Sequence, residues 1–214
     1  MNRALFDFVD GGRPAASLFF VLSGFILTYT YREPPVTDSP RAFYVARVAC
    51  IYPVVLLGLA LVAPVTAWLL YTGDAADLLQ WFALKSSVHL SLALSLLCQL
   101  LLLNAWFPFA AINQPWNGPS DSVSCEAFFY ALFPWLLRKL DGRSLGRVVL
   151  ACAVVWVVQG VATVLIQANL PASRNGFLVV ALPLLRMAEF VLGIGAALVF
   201  MSMRERRAHR HMLG

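Results

Sequence analysis

Long apolar runs broken by short polar or basic connections dominate this chain of 214 residues. Four runs are long enough, or nearly so, to span a bilayer core: Ala15–Tyr31, Val48–Tyr71, Ser86–Ile112 and Val148–Ala168. A spanning helix needs roughly 20 apolar residues. A fifth run, Phe177–Met203, is long enough but carries Arg186 and Glu189, and a sixth, Ala127–Leu137, is short. The helices of a soluble protein keep a polar face, and these runs mostly do not. The pattern predicts an all-α, polytopic transmembrane helix bundle of about five to six membrane segments, one of them short or re-entrant. It reads as a single membrane domain, residues 1–214, closed by a basic cytoplasmic tail, 204–214.

The connections sharpen this. Pro34–Pro35 ends the first run, and Arg41–Arg47 is a basic, aromatic stretch suited to a membrane interface. The second run contains Pro53 and Pro64. An acidic turn follows at Thr72–Asp77, a Pro/Asn/Gly-rich connection lies at Pro108–Ser122, and a further turn at Pro171–Gly176. Three connections are basic: 32–47, 138–147 and 204–210. The excess of Lys and Arg in cytoplasmic loops would put all three on one side. Six simple crossings cannot, so one segment must fail to cross. Val123–Leu137 is the first suspect, because fifteen helical residues reach only about 22 Å against a core of about 30 Å. The rival is that Leu78–Ile112 turns back on itself.

Composition agrees. The chain is 60% hydrophobic and 13% charged, against about a quarter charged in a soluble domain. Its net charge of +5 sits in the connections, which is an orientation signal rather than a nucleic-acid footprint. Cys50, Cys98, Cys125 and Cys152 are widely spaced in or beside apolar runs, with no CxxC, and read as small packing residues. His209-x-His211 falls in the basic tail and reads as solvated, so no metal site is expected. Asp7, Asp10 and Arg13 argue against a cleavable signal in Met1–Pro14.

Candidate chemistry concentrates at 116–134, where Trp-Asn-Gly-Pro-Ser-Asp-Ser-Val-Ser-Cys-Glu runs into an aromatic segment. Ionisable groups at membrane depth are costly and commonly line a cavity or hold a partner. Glu126 shares a helical face with Phe129, Tyr130 and Phe133. It suits a carboxylate that positions substrate in an aromatic-lined cavity. It equally suits the acidic first turn of a helix started by Ser122 or Ser124. Arg186 and Glu189 are three apart and face each other, as an internal ion pair or as an anion-binding arginine with its partner. Arg41 and Arg47 read as interface anchors, and His89 as a packing or interfacial histidine.

Four segments, in order, carry a resemblance. Phe19–Phe25 (FFVLSGF), Phe43-Tyr44 through Arg47 to Ile51-Tyr52-Pro53, Pro119–Glu126 followed by Phe129-Tyr130 and Phe133-Pro134, and Arg186–Gly193 (RMAEFVLG) together resemble motifs of the integral-membrane acyltransferase 3 family. The resemblance implies an O-acyltransferase of the bacterial inner (cell) membrane. Such an enzyme passes an acyl group, often acetyl, from acyl-CoA as donor substrate to a hydroxyl of a glycan, glycolipid or related acceptor, with no permanently bound cofactor. It implies a supporting catalytic role for Glu126, and substrate or acyl-CoA contacts for Ser23, Arg47, Tyr130, Arg186 and Glu189. The sequence departs from the pattern in places. Asp121 stands where tryptophan is usual, Cys50 and Ala46 where arginines are usual, and the family's general-base histidine is not in the chain. The resemblance therefore implies an internal portion of the fold, with missing helices or a partner subunit completing it. Two other classes fit the pattern: a small-molecule transporter, for which a polar cluster at a broken helix is apt, and a non-catalytic membrane subunit.

Overall fold

The computed structural model describes residues 12–33, 39–72, 87–107, 109–113, 115–117, 120–171, 178–179 and 181–213. The expectations placed on Met1–Gly11, Pro34–Pro35, 73–77, Pro119 and 172–176, and on the side chains of His209 and His211, lie outside them. Among the described residues the chain is all-helical. In order come α1 (Gly12–Tyr31), α2 (Pro40–Thr72), α3 (Val88–Leu100), a 3₁₀ turn (Asn104–Trp106), α4 (Ala110–Asn113), α5 (Asp121–Leu140), α6 (Leu145–Asn169) and α7 (Pro183–Leu213). Four helices are long and apolar enough to cross a membrane: Pro14–Tyr31, Pro40–Thr72, Leu145–Asn169 and Pro183–Ala208. The protein is a helical membrane protein.

Two boundaries differ from the sequence reading. The basic stretch 41–47 is no separate interfacial piece. It opens a single 33-residue helix, α2, whose first residue is Pro40, a position where a missing N–H costs nothing. The basic tail likewise continues α7 as far as Leu213. In both cases apolar content marks where the membrane core falls, whereas the helix itself ends only where backbone geometry stops it.

The chain forms two compact units. One comprises 42–128 with 181–183, and the other 1–41, 129–180 and 184–214. In the first, the run 86–112 is no single span. α3 has 13 residues, about 20 Å of helix. The chain then turns through Leu102, at φ +58°, and α4 lies back along α3. Ser95 Oγ donates to the Ile112 carbonyl, and Trp116 Nε1 to that of Leu92 at 3.0 Å. The chain thus turns back between α3 and α4, within the Leu78–Ile112 segment that was the rival candidate. Val123–Leu137 lies within α5, a continuous 20-residue helix of about 30 Å. Its polar first turn and basic last turn lengthened it beyond the apolar core counted from sequence.

In the second unit α1 and α7 cross at two glycines. A Cβ on Gly24 would fall on the Phe190 carbonyl oxygen, and one on Gly193 on that of Val21. Small residues let membrane helices approach to backbone contact. Around the crossing, Phe20 meets Phe129 edge-on at 5.2 Å, while Phe129 stacks on Phe190 at 5.0 Å and Phe133 meets Phe190 at 6.1 Å. Of α6, only Val148 and Cys152 are buried. Most of its other valines and leucines are exposed, as a lipid-facing helix requires.

At one end of this unit Arg32 Nε pairs with Asp141 at 3.0 Å, and Arg32 Nη1 with Glu205 at 3.4 Å. The C-terminal ends of α1, α5 and α7 are therefore together. That places Arg32, the turn 138–147 and the arginines after Met203 on a common face, as loop charge predicts.

Candidate functional site

The polar stretch before and within α5 is built as a clasp. Asn104, in the 3₁₀ turn, donates from Nδ2 to Ser120 Oγ at 3.0 Å and to Asp121 Oδ1 at 3.0 Å. Ser120 Oγ donates to the Asn117 carbonyl at 2.6 Å. One turn along α5, Ser124 Oγ donates to the Leu102 carbonyl at 2.6 Å and accepts from the Ala105 amide at 3.4 Å. Leu102 is the left-handed residue of the turn, where a non-glycine backbone is strained by roughly 1–2 kcal/mol. The Ser124 hydroxyl holds the turn there. Ser124 is thus a tie between α5 and the preceding turn rather than a helix cap.

Asp121 opens α5 outside the four candidate spans. Burial pushes its carboxyl up from 3.8 to about 6, against a smaller lowering by the Asn104 hydrogen bond. The residue that departs from the family pattern is thus integrated into the clasp. Glu126, on the second turn, is 9% exposed. Cys125 beside it donates from Sγ to the Ala181 carbonyl at 3.2 Å. Gln99 and Asn113, on the α3–α4 hairpin, are each 1% exposed, and among the described residues their side-chain amides have no hydrogen-bond partner. Arg47, in the same unit, is half-buried with its guanidinium over the Phe43 ring at 5.8 Å. Arg41 and His89 are exposed.

The other candidates belong to the second unit. Arg186 Nη1 pairs with Glu189 Oε1 at 3.0 Å, and Nη2 donates to Ser17 Oγ at 3.0 Å, which itself donates to Glu189 Oε1 at 3.3 Å. The guanidinium also lies over Phe20 at 5.3 Å. The Arg186 Nε and Glu189 Oε2 atoms are buried without a hydrogen-bond partner among the described residues. Both terminal guanidinium nitrogens therefore serve an internal Ser–Arg–Glu cluster, which matches the ion-pair reading of these two residues. Ser23 and Tyr130 are half-buried. Phe129 and Phe133 are fully buried against Phe20 and Phe190, so they form core rather than the wall of an aromatic cavity.

The sequence reading missed Ser17, Asn104, Gln99 and Asn113. Ser17 had a signal: with Phe20 and Gly24 it lies at offsets of three and seven, a polar residue on the small-residue face of α1. Asn104 was hidden at the end of the leucine run 100–103.

Comparison with known proteins decides what this framework is. The family model described as an acyltransferase domain matches residues 3–210. The chain belongs to the acyltransferase 3 family. It is similar to acyltransferase MdmB of Streptomyces mycarofaciens, at 33% identity over 216 residues, which covers 93% of this chain and 49% of that protein. This acyltransferase 3 chain thus spans about half the length of the curated relative it matches. No solved structure matches it. Family membership accounts for the order of the four motifs: FFVLSGF lies on α1, the Arg47–Pro53 segment on α2, Asp121 to Glu126 and the aromatics after it on α5, and RMAEFVLG on α7.

Proposed function

We propose that the chain forms part of a membrane-bound O-acyltransferase of the bacterial inner membrane. It moves an acyl group, acetyl being the first to test, from acyl-CoA to a hydroxyl of a cell-surface glycan, glycolipid or related acceptor. The observation that carries the reading is Glu126, a carboxylate held deep in an acyltransferase 3 framework and fixed in register by the Asn104–Ser120–Asp121–Ser124 clasp.

In the reaction the acceptor oxygen attacks the thioester carbonyl carbon, the new C–O ester bond forms and the C–S bond breaks. The proton leaves the hydroxyl for a general base and ends on the CoA thiol. Glu126 would orient the base or the acceptor hydroxyl. Arg47 would face the anionic donor, since a guanidinium binds phosphate through paired donors. The buried amides of Gln99 and Asn113 offer donors and acceptors suited to hydroxyl groups. The Ser17–Arg186–Glu189 cluster would hold α1 against α7.

The test is to incubate membranes containing the full gene product with radiolabelled acetyl-CoA, then separate lipids, glycans and small molecules. Base-labile label on one of these fractions is the expected result. Vesicles that take up solute but form no ester at any substrate concentration would identify a transporter instead.

A further inference from the structure

The turn between α5 and α6 makes a cup that the acyl-transfer reading does not use. Lys139, Arg143 and Arg147 border a cavity of about 390 Å³ whose inner wall is Leu150, Ala151 and Val154 on α6. Three cations thus stand at the rim of an apolar surface running away down a lipid-facing helix. Among the described residues none of the three has an acidic partner. Arg147 Nε donates only to Ser144 Oγ at 3.1 Å, and Lys139 Nζ lies 6.0 Å from the Trp135 ring.

The turn does contain one acid, Asp141, but Arg32 Nε holds its carboxylate at 3.0 Å. The charge that would otherwise neutralise the cup is engaged elsewhere. Trp135, one turn before Lys139, is 54% exposed. Indoles prefer the headgroup level of a bilayer. The cup therefore sits at interface depth, on the face where the basic ends of α1, α5 and α7 meet.

We propose that this cup is a binding site for an anionic phospholipid. The headgroup phosphate rests among Lys139, Arg143 and Arg147, and one acyl chain lies along Leu150, Ala151 and Val154. Charge complementarity selects the headgroup, because basic pockets between helices on the cytoplasmic side favour anionic lipids. The continuous apolar wall selects a lipid over a soluble phosphate, which has nothing to lay against it. The proposal stands apart from the acyl-transfer reading and holds whether or not the chain turns over acyl-CoA.

Thermal unfolding and native mass spectrometry of the purified protein in neutral detergent test it. The probes are phosphatidylglycerol, phosphatidylcholine and inorganic phosphate. Phosphatidylglycerol should bind and stabilise, and the other two should not. Arg143→Gln and Arg147→Gln should each weaken binding roughly five-fold, from about 1 kcal/mol per charge at a membrane surface. Arg138→Gln, in the same turn but outside the cup, should weaken it less than two-fold. Ala151→Phe keeps every charge but blocks the wall, and should weaken binding at least as much as losing one arginine. Equal binding of phosphatidylglycerol and phosphatidylcholine, equal stabilisation by inorganic phosphate, or no difference between Arg138→Gln and the cup variants would each overturn the proposal. Because all variants are read against their own unliganded melting temperature, a general loss of stability does not mimic loss of the site.

Discussion

Replacing Arg186 with methionine should be among the most destabilising single changes in the second unit, and the structure sets its size. The Arg186 and Glu189 side chains are 12% and 14% exposed, so neither charge is well solvated. Without the guanidinium, Glu189 Oε1 loses its ion pair and keeps the Ser17 hydroxyl at 3.3 Å, and Oε2 keeps no partner among the described residues. Breaking a buried pair by removing one member costs about 3–5 kcal/mol, chiefly because the other charge stays buried. The stacking of Arg186 over Phe20 adds roughly 0.5–2 kcal/mol. Glu189→Gln is gentler, about 1–3 kcal/mol, since its amide oxygen still accepts from Arg186. The double variant Arg186→Met/Glu189→Met should recover much of the loss, because apolar residues replace a buried pair at little cost. Unfolding in mixed micelles by titration with a denaturing detergent, followed by helix content, gives all three values and the coupling between the sites. If Arg186→Met costs under about 1 kcal/mol and the two single effects simply add, the cluster is solvated and the reasoning fails.

Other outcomes follow from the same geometry. Gly24→Val should cost about 1–3 kcal/mol by forcing α1 off the Phe190 carbonyl. Gly160→Ala, with open space around it on α6, should instead stabilise by roughly 0.5–1 kcal/mol; melting temperatures of the pair check the contrast. Ser124→Ala should cost about 1–3 kcal/mol, because the buried Ala105 amide and Leu102 carbonyl lose their partner, and hydrogen exchange at Ala105 should accelerate. The Asp121 carboxyl is raised from 3.8 to about 6, so the folded state binds its proton more tightly than the unfolded state does. Its contribution to stability is full below about pH 4 and is lost as pH rises through about 6. Asp121→Asn should flatten the melting temperature across that window; an unchanged pH profile would contradict the assignment.

Much of the fold was legible because the membrane imposes a coarse rule. An apolar run of sufficient length is a helix, and the runs Ala15–Tyr31, Val48–Tyr71, Val148–Ala168 and Phe177–Met203 correspond to the four candidate spans. The run 86–112 misled because hydropathy does not register a turn. Leu100–Leu103 is as apolar as any span, yet Leu102 adopts a left-handed backbone and Asn104 leaves the helix to bond Asp121. Charge parity did detect the irregularity, since it required one segment not to cross, but the length of its apolar core pointed first to Val123–Leu137, which lies within a continuous 20-residue helix. The Arg186–Glu189 pair was legible from an offset of three. Its third member, Ser17, lies 169 positions from Arg186 in sequence and was visible only as a polar residue on a helix face of small ones. The face shared by Glu126, Phe129 and Phe133 was read correctly as a face. Its aromatic part turned out to be core, because spacing fixes direction but not what stands opposite.

The proposed role of Glu126 in acyl transfer can be tested on the enzyme itself. The most direct test is the initial rate of acetyl transfer from acetyl-CoA by membranes holding the full gene product, wild type against Glu126→Gln. The melting temperatures of the two purified forms are compared alongside, so that a folding defect is recognised. The rate should fall by about 100-fold or more, the scale of a lost acid–base or orienting contact, with the melting temperature nearly unchanged. A Glu126→Gln protein that folds and transfers acetyl at the wild-type rate would contradict it.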